Sequence, residues 1–164
     1  MSKIILMDLS VSSIDNATKE LKAFRDSLKQ KKDKLLRELA SIGVREASVR
    51  FTTAMYDGVN DSSVTLEPVS EGYAIVANGR AVAFIEFGAG VYHNTGEPYP
   101  NPRPQGIVGI GEYGKGYGKR KAWGYPDGEG GITITHGNPA AMPMWYASEE
   151  MRSNILRIAQ EVFG

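Results

Sequence analysis

The chain has 164 residues, 41% of them hydrophobic and 23% charged, a composition of one globular domain that excludes a fibrous, collagenous or largely disordered protein. Nineteen basic and nineteen acidic side chains cancel, so no net field draws it to nucleic acid, anionic lipid or acidic substrates, and any electrostatic role is local. It has no cysteine, which removes disulfides, thiolate nucleophiles and thiolate metal sites, and its apolar runs fall far short of the roughly 20 residues of a membrane span.

At the start of the chain, Ile4 to Met7 are interrupted by Asp8, too soon for an export signal, so the expectation is a soluble intracellular protein. Ile4 to Leu9 reads as a short strand or as an N-terminal arm. Ser12 with Asp15 fits a capping box at a helix start. Ile14, Ala17, Leu21, Phe24 and Leu28 then recur at spacings of 3, 4, 3 and 4, one apolar stripe of a long helix that Leu35, Leu36, Leu39 and Ile42 continue. Lys29, Lys31, Lys32 and Lys34 give its middle a basic, solvated face. Gly43 is expected to bend or stop the helix, and a second helical stretch, Val44 to Met55, to end at Asp57-Gly58.

Strands are predicted at Ser63 to Val69 and Tyr73 to Ala77, with a tight turn at Asn78-Gly79. Ala81 to Phe87 is too short for periodicity to separate strand from helix. Ile132 to Thr135 reads as a strand, followed by a turn at His136-Gly137-Asn138-Pro139. A last helix opens at Pro143, where a missing N–H costs nothing, with Ala147, Met151, Ile155, Ile158 and Val162 on one stripe. The expected fold class is α+β: a long N-terminal amphipathic helix and a C-terminal helix packed on a small antiparallel sheet. Phe87 is expected in the core.

Thirteen of the nineteen glycines and five of the eight prolines lie in residues 88 to 131. Such a stretch has too few bulky apolar side chains to offset the entropy of ordering it, so residues 91–131 are expected to be an extended, flexible loop within a single domain spanning 1–164. From Arg103 to Lys121 this loop carries five basic residues and one acid. Arg103, Lys115, Lys119, Arg120 and Lys121, with Tyr113, Tyr117 and Trp123 interleaved or adjacent, are the candidate interaction residues. Their composition suits a single-stranded nucleic-acid platform, a phosphate-tracking arm, a loop that orders against an acidic protein surface, or solvation alone.

Motifs of catalysis are weak. Gly109-Ile110-Gly111-Glu112-Tyr113-Gly114 spells a dinucleotide fingerprint and, with Lys115, a P-loop, but no helix start follows and Gly116 stands where magnesium needs a hydroxyl. His93 and His136 have no metal-ligand partners at a diagnostic spacing with Glu86 or Asp127. Glu86 is an acid in an apolar run. It reads either as a catalytic acid in an apolar pocket or, in the favoured reading, as a residue facing outward or pairing with a basic group. No catalytic residue, cofactor or metal is expected.

Glu86-Phe87-Gly88-Ala89-Gly90, the long glycine-rich loop, His136-Gly137 and Ala141-Met142-Pro143-Met144 before a terminal helix together resemble the tail-completion, or head–tail joining, family of long-tailed double-stranded DNA bacteriophages. In that pattern a long N-terminal helix ending near a glycine precedes strands, an EFGTG-like turn, a variable loop, an (R/H)G-x-x-x-x-P segment and a C-terminal helix. Here Ala89 replaces the usual Thr, and the pattern covers about residues 14 to 163.

The resemblance implies a structural virion protein of the neck or tail top without catalysis. It is assembled in the host cytoplasm as a cyclic homo-oligomer, usually sixfold, between a head-completion or connector protein and the tail tube. It implies proximity to genomic DNA and no membrane partner. Glu86, Phe87, Gly88, Gly90, His136, Gly137 and Pro143 are its structural motif residues. A tail terminator or a minor head or neck protein is the near alternative. A nucleotide- or nucleic-acid-binding protein using the basic glycine-rich loop is the alternative from another class.

Overall fold

The computed structural model describes residues 4–89, 121–126 and 128–164. The chain runs α1 (Val11–Thr53), β1 (Ser63–Val69), β2 (Gly72–Asn78), α2 (Val82–Phe87), β3 (Trp123–Pro126), β4 (Ile132–Thr135) and α3 (Pro143–Phe163). The fold class is α+β, as expected. The strands form two separate antiparallel hairpins rather than one sheet, β1 with β2 and β3 with β4.

Residues 4 to 9 form neither helix nor strand. The cap of α1 lies two residues before the expected capping box. Ser10 Oγ accepts from the Ser13 N–H at 3.3 Å, and Ser13 Oγ accepts in return from the Asp8 N–H at 2.9 Å. The Asp8 carboxylate is held by the Ser10 N–H and hydroxyl, so Ser10 and not Ser12 is the cap, with the Ser12 hydroxyl 3.3 Å from Ser10 Oγ. At the other end the helix stops short of Asp57-Gly58. Thr52 and Thr53 turn their hydroxyls back onto the Ser48 and Val49 carbonyls, and Asn60 Nδ2 takes the Phe51 carbonyl at 2.8 Å.

Gly43 does not stop α1, which runs unbroken for 43 residues, about 65 Å. Its hydrogen in place of a side chain is what the packing requires, since a Cβ there would come within 2.7 Å of Met151 Sδ and collide with Ile75. A helical glycine gives up about 1 kcal/mol relative to alanine, and here it admits α3 and β2 against the same turn of α1. Ala40, Gly43 and Ala47 are the buried positions of this contact, and Ala147 is the buried partner on α3. Small residues at the crossing let the two backbones approach closely.

The α1–α3 contact has marked ends. The Arg50 guanidinium lies 3.7 Å from the centre of the Tyr146 ring, and Lys31 Nζ lies 5.7 Å from that of Phe163. The two helices are therefore antiparallel, and α3 covers α1 from about residue 50 back to about residue 31. Beyond that point residues 18–30 are exposed on every face. The stripe Ile14, Leu21, Phe24 and Leu28 is between 37% and 57% exposed, and only Ala17 of it is buried. The stripe was correctly placed on a helix, but within one copy that helix outruns the element that would cover it.

The β1–β2 hairpin turns at Ser70-Glu71 and pairs Ser63 with Asn78 through Val69 with Gly72. The bend at Gly79, φ 137°, carries the chain from β2 into α2 instead. Ala81 to Phe87 resolves as helix, its Ile85 N–H bonded to the Ala81 carbonyl at 2.9 Å. The core is the cluster Ala47, Phe51, Ala81, Ile85 and Ala147, where α1, α2 and α3 meet.

Trp123–Pro126 corrects the expectation of a continuous loop over 91–131, because this stretch is a strand paired with β4 from Trp123 opposite Thr135 to Pro126 opposite Ile132. Trp123 and Tyr125 are residues that fit a pleated, half-buried surface, and glycine between them leaves room for Ile132. The Gly- and Pro-rich count of the window hid a four-residue strand within it. No helix among the described residues is long and apolar enough to cross a membrane.

Phe87 closes α2 at 7% exposure, as expected of a core residue. Phe87→Ala is expected to cost about 3 kcal/mol and to lower the thermal midpoint by roughly 6–12 °C. A melt monitored by circular dichroism checks this, and an unchanged midpoint would contradict the packing.

Candidate functional site

The two segments that carry the motif residues, 86–89 and 136–143, lie against each other. Helix α3 begins at Pro143, which has no N–H, after Met142 in the left-handed conformation, φ 52° and ψ 44°. The Met142 side chain supplies no cap. Glu86 does so from α2: its carboxylate accepts from the Met144 N–H at 2.9 Å and the Trp145 N–H at 3.2 Å. The side chain is 4% exposed. A buried carboxylate is costly unless its oxygens are satisfied, and here they meet two free donors and the positive end of a 21-residue helix. Glu86 thus does not face outward. It is the cap of a helix that begins 57 residues later, at Pro143.

Gly88 and Gly137 make the remaining approach possible. Gly88 ends α2 at φ 75°, and a Cβ there would lie 2.8 Å from the Ala140 nitrogen. Gly137, φ 78°, lies so close to the Ala89 carbonyl that any side chain would strike it. Between the two glycines Ala89 and Asn138 exchange both backbone hydrogen bonds, at 2.9 and 3.1 Å. The Asn138 side chain, 2% exposed, donates to the Phe84 and Pro139 carbonyls. The Ala141 N–H donates to the Ile85 carbonyl at 2.9 Å, and the Gly137 N–H to Thr135 Oγ1, whose hydroxyl donates to Asp57.

The entry to α2 is fixed in the same manner. Asp61 accepts from the Ala81 N–H and the Arg80 N–H, both at 3.0 Å, and from Arg80 Nε at 3.3 Å. These hydrogen bonds, those from the backbone first, hold its carboxyl below the usual value of 3.8.

Beside the junction an open cleft of about 690 Å³ is lined by Tyr56, Phe84, Trp123 and Tyr125, with Asp57 and Arg80 as its charges. Burial and the neighbouring Asp57 charge raise the Tyr56 hydroxyl above its usual range. The Asp57 carboxylate is engaged by Thr135. Among the described residues the walls of the cleft are thus aromatic faces with one acid and one guanidinium. Among the described residues no three of His, Asp and Glu come together as a metal site.

Of the expected site residues, Glu86, Phe87, Gly88, Gly137 and Pro143 are brought together, and Trp123 lies over Gly137. His136 is exposed beside them, and Lys121 is exposed two residues before β3 begins. Gly90, Arg103, Tyr113, Lys115, Tyr117, Lys119 and Arg120 lie outside the described residues, as do His93, Asp127 and the Gly109–Lys115 motif. Asn138 and Asp61 were missed as anchors. Their signal was an asparagine before proline in a glycine turn, and an aspartate just ahead of a strand, both residue types that bond nearby backbone.

Glu86→Ala strands two donors at a buried helix end and is expected to cost about 2 kcal/mol, and Glu86→Gln, which keeps an acceptor but loses the charge, about 1 kcal/mol. Denaturant titration of both variants checks the order. A depressed folded-state pKa contributes stability above the ordinary carboxylate range, and that contribution is lost as the pH falls through 3.8 and below. Asp61→Asn should therefore flatten the acid limb of the melting curve against pH, measured from about pH 6 to about pH 2. No protein-family model, curated protein or solved structure matches this chain.

Proposed function

We propose that this chain is a structural protein of the neck or tail top of a long-tailed double-stranded DNA bacteriophage, forming a cyclic homo-oligomer of six copies that joins the tail tube to the head connector. The observation that carries the reading is the junction itself. The EFG turn and the segment from His136-Gly137 to Pro143, whose order along the chain gives the resemblance, are hydrogen-bonded to each other and share one buried carboxylate. Residues joined in this way set the angle between α2 and α3, a building task in which Glu86 is committed to a helix end.

Two further features support a ring-forming subunit. A ring needs two different surfaces per copy that complement each other, because a heterologous contact closes only if its rotation does. The uncovered first half of α1 and the short hairpin β3–β4, with both edges unpaired among the described residues, are unlike surfaces of that kind. Head-connector and tail-tube proteins are the partners in this reading, with genomic DNA passing close by. The segment between Ala89 and Lys121 lies outside the described residues, and its excess of basic side chains is a composition that suits an acidic neighbour.

Absolute mass by light scattering over a range of concentrations, with negative-stain images of the same sample, tests the proposal. The expected outcome is a multiple of the 17.9 kDa chain mass with ring-shaped particles. A chain that stays monomeric throughout, and whose melting point rises with added ATP, would overturn it in favour of a nucleotide-binding protein.

A further inference from the structure

Residues 4 to 9 carry an apolar side chain at every position except Asp8. Ile4, Leu6, Met7 and Leu9 are 80%, 89%, 63% and 93% exposed. Along the middle of α1, where β2 and α3 meet it, Leu36, Leu39, Tyr73, Ile75, Met151 and Ile155 line an apolar groove of about 500 Å³. Among the described residues Arg152 is the only charged one in its lining, opposite in sign to Asp8 of the segment. Leucine, isoleucine and methionine side chains are the matching contents for such a groove, and methionine in its wall adapts to them.

Reach decides whose groove it is. Six residues fully extended span at most about 20 Å. From Val11 to Leu36 the helix rises about 38 Å. The segment therefore cannot enter the groove of its own chain, whichever way it leaves the helix. We propose that residues 4 to 9 of one copy seat in the α1–β2–α3 groove of a second copy. Passed from each copy to the next, such an arm makes a head-to-tail contact, and passed reciprocally it makes a closed pair. The inference needs only a second copy of this chain and does not rest on the neck reading.

The chain has no cysteine, so an introduced pair reports without interference. Leu6→Cys combined with Ile155→Cys, mildly oxidised, is expected to give covalent dimers and higher multiples on a denaturing gel, about tenfold above either single variant. Removal of residues 1 to 7 behind a new initiator keeps the Asp8–Ser10 cap. It is expected to weaken self-association about tenfold in light scattering, with an unchanged melting point, and the exposed-rim variant Ile155→Glu should do the same. Cross-linking no better than in the single variants, a truncated chain that associates as the full chain does, or a full chain that is monomeric at every concentration would each overturn it. Rings formed equally well by the truncated chain would remove the arm exchange and leave the neck reading standing.

Discussion

Helix α3 starts without a cap of its own, because Pro143 brings no donor and the Met142 side chain reaches none of the free N–H groups. Everything at the centre of the molecule depends on Glu86 supplying that cap from α2. The pairing is directional: two N–H groups fix both oxygens, so α2 cannot rotate without exposing the helix end. The strained backbone of Met142, of order 1–2 kcal/mol for an L-residue, is held there by the same contacts. Asn138 and the Ala89 bridge then prevent the two turns from sliding apart, since each would leave a buried polar group unpaired.

With α3 aimed by Glu86, its fit on α1 follows from small residues. Ala40, Gly43, Ala47 and Ala147 are its small buried positions, and Met151 packs against Gly43. Bulk comes from Phe51 and Ile85, which fill the space under α2. Most of the remaining large apolar side chains are half covered or exposed, among them Leu156 at 76% and Ile134 at 64%. A subunit built this way satisfies its own fold with a small core and leaves apolar surface for neighbours.

The helical stripes of α1 and α3 and the two strands β1 and β2 were legible from the residues alone, the helices by their spacing and the strands by their β-branched and aromatic content, although α1 was expected to bend or stop at Gly43. What failed did so for identifiable reasons. Gly43 was read by its low helix propensity, whereas the packing of Met151 and Ile75 against it decides its place. Ser12 and Ser10 are equivalent by spacing, and the choice between them rests on where Asp8 and Ser13 find each other in space. Trp123–Pro126 was lost in the average composition of its window. Glu86 was singled out as anomalous in an apolar run, yet its partner lies far along the chain, and no local pattern pairs an acid with a distant helix start. The two glycine turns were noticed in sequence order; that they touch is a tertiary fact.

The uncovered first half of α1 also sets how the molecule comes apart. A helix of about 20 residues is marginal alone because its first turn is costly to form, but here every added turn grows from one already clamped under α3. Unravelling must therefore begin at Val11 and travel toward Lys31 like a zip, halting where Phe163 and the helix pair take hold. The Asp8–Ser10–Ser13 cap latches the tip of that zip, so the helical rod beyond the body is a graded structure, loosest at its tip and firm at its root.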